Sequence, residues 1–197
     1  ELAYWEQVGG WFAPRDRHAM AYDTHRNVAV VFGGYVGNYA VRETWEWDGS
    51  DWIQDTTAPD PGLRSRGAMV YSEDLRGLVL YGGYSLAGYY GDTWTRKESS
   101  WQQLAVLTSP GERTDAAMVF DSVRGRVVLF GGRLGGTETD ETWEHDGEQW
   151  VRIDTSTSPP ARFRHMMAFD AVRGVVVLYG GRGAGYFGDT WEYDGTD

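Results

Sequence analysis

An all-β chain of repeated four-stranded antiparallel sheets is the fold class this sequence predicts, on three observations. Gly-Gly pairs fall at Gly33-Gly34, Gly82-Gly83, Gly131-Gly132 and Gly180-Gly181, in steps of 49 residues. Arg15, Arg64, Arg113 and Arg162 keep that spacing, as do Met20, Met69, Met118 and Met167, while an acid-Thr-Trp triplet places Trp45, Trp94, Trp143 and Trp191 in steps of 49, 49 and 48. No segment shows a helical period with caps, whereas each copy carries an apolar, mostly β-branched run before its Gly-Gly. Registers in step along one chain mean that one structural unit is repeated.

The elements follow in order within a unit. "RHAMAYD", "GAMVYS", "AAMVFD" and "HMMAFD" read as a first strand, followed by a polar turn such as "DSVRG". "VAVVF", "LVLY", "VVLF" and "VVVLY" read as a second strand stopped by Gly-Gly; apolar residues at consecutive positions imply that both of its faces are buried. A Gly-rich loop leads to a third strand, "ETWEWDG", "DTWTRKE", "ETWEHDG" or "DTWEYDG", whose Asp-Gly, where present, signals a hairpin. The fourth strand carries a later Trp, as in "WIQD", "WQQL" and "WVRI".

Four-stranded sheets repeated along a chain and buried on both faces are the blades of a β-propeller. Gly-Gly after the second strand, Trp in the third and a period near 50 residues resemble the kelch repeat. That resemblance implies a ring of blades with the first strand lining the axis and the fourth outside. Blades are expected at 14–60, 61–109, 110–159 and 160–197, in a single domain over 1–197. The last copy stops before its fourth strand, and "YWEQV" at residues 4–8, with Trp5 in the place of Trp52, Trp101 and Trp150, matches the missing piece. The expectation is a four-bladed ring in which the N-terminal strand completes the last blade and removes exposed sheet edges. Two alternatives stand beside it: two chains exchanging terminal strands to form an eight-bladed ring, or a fragment of a longer propeller.

Composition narrows the function. With 18 basic and 29 acidic residues the net charge is −11, which disfavours nucleic acid and anionic membrane surfaces as partners. No apolar run approaches the ~20 residues that span a bilayer. The absence of cysteine removes disulfides, thiolate metal sites and cysteine nucleophiles, and leaves the compartment unmarked, an extracytoplasmic one included. No nucleophile elbow, phosphate loop or zinc motif is present, so a non-enzymatic role is favoured and no metal or cofactor is expected. Among the enzymes of the resembled family, copper oxidases need a cysteine crosslinked to tyrosine. A sugar epimerase would need acid/base residues at the channel, for which His18, Asp115 and His165 are the candidates.

Positions present in every copy read as structural: Arg15, Arg64, Arg113 and Arg162 are expected to pair with carboxylates or loop carbonyls. The acids before Thr-Trp, Glu43, Asp92, Glu141 and Asp189, are expected to neutralise them. The Trp residues in register, including Trp5, Trp52, Trp101 and Trp150, are expected to pack between blades. Positions where copies differ are the candidates for binding. Before the first strand stand Arg17-His18, Arg66-Gly67, Asp115-Ala116 and Arg164-His165; in a closed ring the two His side chains would approach each other, although two His without a third ligand make a weak metal signature. After Gly-Gly come Tyr35, Tyr84, Arg133 and Arg182, and the loops add Tyr89, Tyr90, Tyr186 and Phe187 as exposed platforms.

These residues define a Tyr/Arg/Gly-rich rim. The expected function is a non-catalytic module that binds a protein or peptide there, acting as a monomer or a strand-exchanged homodimer. The alternatives are a carbohydrate-binding or sugar-processing propeller with a glycan at the same rim, and a repeat fragment or engineered ring with no selected ligand.

Overall fold

A computed structural model describes residues 6–8 and 10–196, and every strand in it belongs to an antiparallel sheet. Blade one contains β1 (Ala19–Asp23) and β2 (Val28–Phe32). A short rim hairpin follows, β3 (Tyr35–Val36) with β4 (Tyr39–Ala40), and then β5 (Thr44–Trp47) and β6 (Trp52–Asp55). Blade two is β7 (Ala68–Ser72), β8 (Gly77–Ser85), β9 (Gly88–Lys97) and β10 (Ser100–Leu104). After β11 (Arg113–Thr114), blade three is built from β12 (Ala117–Asp121) and β13 (Arg126–Phe130). The rim hairpin β14 (Arg133–Leu134) with β15 (Thr137–Glu138) leads on to β16 (Thr142–His145) and β17 (Trp150–Ile153). Blade four has β18 (Met166–Asp170), β19 (Val175–Tyr179) and β20 (Thr190–Tyr193).

Each blade is an up-and-down sheet in chain order: β1-β2-β5-β6, β7-β8-β9-β10, β12-β13-β16-β17 and β18-β19-β20. The register Ala19↔Phe32 and Phe32↔Thr44 puts the start of the inner strand, the end of the second and the start of the third at one end of the blade. Inner strands pack side by side, β1 on β7, β7 on β12 and β12 on β18. Met20, Met69, Met118 and Met167 are among the residues lining the channel between them, of about 460 Å³. Second strands are the core: Val30, Val31, Phe32, Leu78, Val79, Leu80, Val128 and Leu129 are almost wholly buried, as expected for residues sandwiched between neighbouring blades.

In blade two, β8 and β9 run on through the segment read from sequence as a Gly-rich loop. Gly82 and Gly83 at φ +66° and +113° accommodate a register shift between Tyr81 and Gly83, and pairing resumes through Tyr84↔Tyr89. The rings of Tyr84 and Tyr89, 5.1 Å apart, cover the extended hairpin.

Blades are tied together near the axis by one main-chain bond per step. Arg66 N–H donates to the Arg17 carbonyl (2.8 Å), Asp115 N–H to that of Arg66 (3.0 Å) and Arg164 N–H to that of Asp115 (2.9 Å). All four residues have φ between +53° and +59°, which turns the carbonyl toward the next blade. Among the described residues no bond joins Arg17 N–H to the Arg164 carbonyl, so the four blades form an open run from Arg17 to Arg164. Of the segment 4–8 expected to complete blade four, residues 4 and 5 lie outside the described residues, and 6–8 are exposed and in no strand.

Candidate functional site

Within each blade an arginine clamps the rim end of three strands. Arg15, Arg64, Arg113 and Arg162 donate to the carbonyls of Gly33, Gly82, Gly131 and Gly180 at 2.9–3.2 Å. The same guanidinium groups reach Glu43, Asp92, Glu141 and Asp189 at 2.5–2.7 Å. Each carboxylate also accepts the indole N–H of the Trp two residues on, at 2.7–3.0 Å. Side chains of all four arginines are no more than 2% exposed. These charges are consumed by the fold.

The arginines at the blade junctions differ. Asp115, 7% exposed, faces Arg66 at 3.5 Å and Arg164 at 3.1 Å, so one carboxylate is shared by two guanidinium groups and a net positive charge remains. Arg17 meets Asp16 at 3.5 Å and lies over the ring of Tyr35. About half of the Arg17 and Arg164 side chains is exposed. The rim hairpins bring further cation–aromatic pairs alongside: Arg133 and Arg164 both lie over Phe163, and Arg182 over Tyr186. Each hairpin is held to the chain entering its blade by bridges Asp16↔Tyr35, Ser65↔Tyr84, Thr114↔Arg133 and Phe163↔Arg182. Stacking fixes the planes of these guanidinium groups while leaving donors free.

Not every residue singled out from sequence reaches this surface. Tyr90 and Phe187 lie beneath the guanidinium groups of Arg64 and Arg162 at 4.2 and 4.1 Å and serve the clamps. Tyr186 is 87% exposed, and Trp11, outside the repeat register and ahead of blade one, is 91% exposed. Phe163 was not singled out, yet the sequence holds a signal for it: the other copies have Asp16, Ser65 and Thr114 at that position.

The two histidines are not a pair. His18 is exposed at the head of β1. His165 is 3% exposed, packs on the Phe130 ring at 5.4 Å and finds no hydrogen-bond partner for either ring nitrogen. Among the described residues no three His, Asp or Glu side chains cluster as a metal would require.

Burial, reinforced by the Arg162 charge, pushes His165 down to about 4; the Phe130 main chain, short of hydrogen-bond geometry, opposes this weakly. A lowered value means that the unfolded chain binds the proton first. Stability from this residue is therefore full above pH 6.5 and is lost as pH falls toward 4, by about 3 kcal/mol. His165→Ala, which places in blade four the side chain blade three has at Ala116, is expected to flatten that slope in urea titrations at pH 7 and 4.5.

A family model for the KLHDC2/KLHL20/DRC7 Kelch-repeats domain matches residues 42–197. The chain belongs to the kelch-repeat family. No curated protein matches the sequence. Kelch domains generally bind proteins, and membership points to a protein-interaction propeller module. In kelch terms, the Arg clamps and Gly-Gly pairs are the repeat itself, while the junction residues and rim hairpins are what distinguishes one blade from the next.

Proposed function

We propose that this kelch module binds an acidic segment of a partner protein at the rim, as a monomer or a strand-exchanged homodimer. The observation that carries this is the pair Arg66 and Arg164 sharing the single carboxylate of Asp115, with Arg17 beside Asp16 at the neighbouring blade junction. In a chain of net charge −11, a basic rim attracts carboxylates and orients an approaching acidic partner. Tyr35, Tyr84, Tyr89, Arg133, Arg182 and Tyr186 frame the cluster, the tyrosines supplying aromatic area with few rotamers to freeze and the arginines further cationic donors.

The test is a display screen of peptides, acidic and neutral, followed by titration of the best binder. Arg66→Ala and Arg164→Ala are each expected to weaken binding about tenfold, and raising salt from 50 to 500 mM to weaken it further. Binding that is indifferent to both arginines and to salt refutes the reading. A glycan array with signal lost in Tyr186→Ala replaces it with the carbohydrate reading, and an empty screen of both kinds favours a ring with no selected ligand.

A further inference from the structure

Asp115 is the odd letter among the residues that link the blades near the axis. Arg17, Arg66 and Arg164 hold the same step in the other three blades, with the same positive φ and in the same run of main-chain bonds. The backbone therefore does not ask for an acid there. Among the described residues the Asp115 carboxylate makes two polar contacts, with Arg66 at 3.5 Å and Arg164 at 3.1 Å. What this side chain adds to the step is charge.

That charge is placed as a counter-ion within a basic surface. The carboxylate is nearly sealed, whereas Arg66 is about a quarter exposed. Asp115 satisfies Arg66 incompletely: one terminal nitrogen meets it at the limit of hydrogen bonding, and Nε is buried with no partner. The neighbour of Arg66 on its other side is Arg17, a like charge. Beyond Asp115, Arg164 spends its Nε on the carboxylate and shares the Phe163 ring with Arg133, whose own Nε is also buried and unpartnered. An arriving carboxylate finds donors on both arginines of the Asp115 pair, and must share them with an anion of its own sign. Like charges brought together in this way weaken association.

We propose that Asp115 is an internal competitor for the acids of the partner, and that it sets the affinity of the rim for an acidic segment. With the rim empty it engages Arg66 and Arg164 in place of a ligand carboxylate; with the rim filled it repels that carboxylate. Specificity of this kind comes from a repulsive element built into the site. The role rests on the acidic-segment reading of the rim and has a signature of its own, a gain of binding when the acid is removed.

Titration calorimetry of capped hexaglutamate, with hexaglutamine as the neutral control, reads that signature in the wild type and in Asp115→Asn, Asp115→Arg and Asp115→Glu. Asparagine tolerates positive φ, and arginine already occupies this step in three blades, so the first two variants keep the backbone as it is. Asp115→Asn is expected to bind hexaglutamate about tenfold more tightly than the wild type, and Asp115→Arg more tightly still, with hexaglutamine unchanged. Asp115→Glu keeps the charge and is expected to stay within about threefold of the wild type. Either of the first two variants reads the effect alone, so misfolding of one leaves the test intact. Hexaglutamate binding that is lost in Arg66→Ala but no tighter in Asp115→Asn or Asp115→Arg overturns the proposal and leaves the acidic-segment reading standing. An equal gain for hexaglutamine also overturns it, and hexaglutamate binding by none of the chains overturns both.

Discussion

Gly131→Ala is expected to cost at least ~3 kcal/mol of stability, and Gly180→Ala, the same change one blade later, only about 1 kcal/mol. Both glycines have positive φ, +62° and +71°, so both substitutions carry the left-handed penalty of about 1–2 kcal/mol. They differ in what the new methyl meets. At position 131 it lands 2.5 Å from the Arg162 carbonyl oxygen of the next blade and 3.0 Å from His165 Cε1. Relief requires blades three and four to move apart, which breaks the Gly132 N–H bond to that same carbonyl. At position 180 the nearest atom is the Phe187 oxygen at 3.6 Å, an ordinary contact. Urea midpoints of the two variants give the two costs directly. Equal costs would show that close blade approach is not what demands glycine at this position.

Arg113→Met is expected to destabilise by about 3–5 kcal/mol, the cost of leaving one member of a buried ion pair alone. The Arg113 guanidinium is fully enclosed and holds the Gly131 carbonyl (2.9 Å), the Pro110 carbonyl (2.6 Å) and Glu141 (2.5 Å). Burial pushes the Glu141 carboxyl up, but the Trp143 indole and Arg113 outweigh it and hold it below its ordinary value. In the native chain this lowered carboxyl adds stability that is present above an unfolded value of about 4.3 and lost as pH falls below it. Once Arg113 is gone, only the Trp143 indole (3.0 Å) and Arg152 at 3.2 Å remain to offset the burial cost. The carboxyl then shifts upward and the variant gains relative stability as pH drops through 5. Arg113→Met with Glu141→Gln removes both charges and is expected to recover more than half of the loss. Arg15→Met should cost less, because its partner Glu43 is 35% exposed against 17% for Glu141. Urea titrations at pH 7 and 4.5 check all three variants.

Much of this was legible in the sequence because repetition exposes whatever every blade must have. The Arg and acid of each clamp recur at a constant separation, 28 residues in three blades and 27 in the last, and the clamps form in all four. The apolar runs gave the second strands, and the shared end of the rim loops follows from antiparallel order. What repetition hides is whatever depends on a neighbour. Nothing in "VVVLY" announces that Tyr179 is exposed where Phe32, Tyr81 and Phe130 are buried, and nothing in His18 and His165 announces that one is exposed and the other sealed over Phe130. Phe163 escaped for a related reason: it matters as the floor beneath Arg133 and Arg164, residues from two different copies. The long hairpin of blade two escaped because Gly-Gly reads equally as a strand end or as a bulge.

The hoop of Arg17, Arg66, Asp115 and Arg164 has one more consequence. Each of its steps carries a main-chain bond that any residue type could make, and the Asp115 side chain adds ion pairs to Arg66 and Arg164. Evolution, or an engineer, can rewrite those four letters to suit a new target and leave the scaffold's architecture untouched. Glycine or asparagine would even relax the backbone, so the arginines and aspartate hold these positions at a conformational penalty.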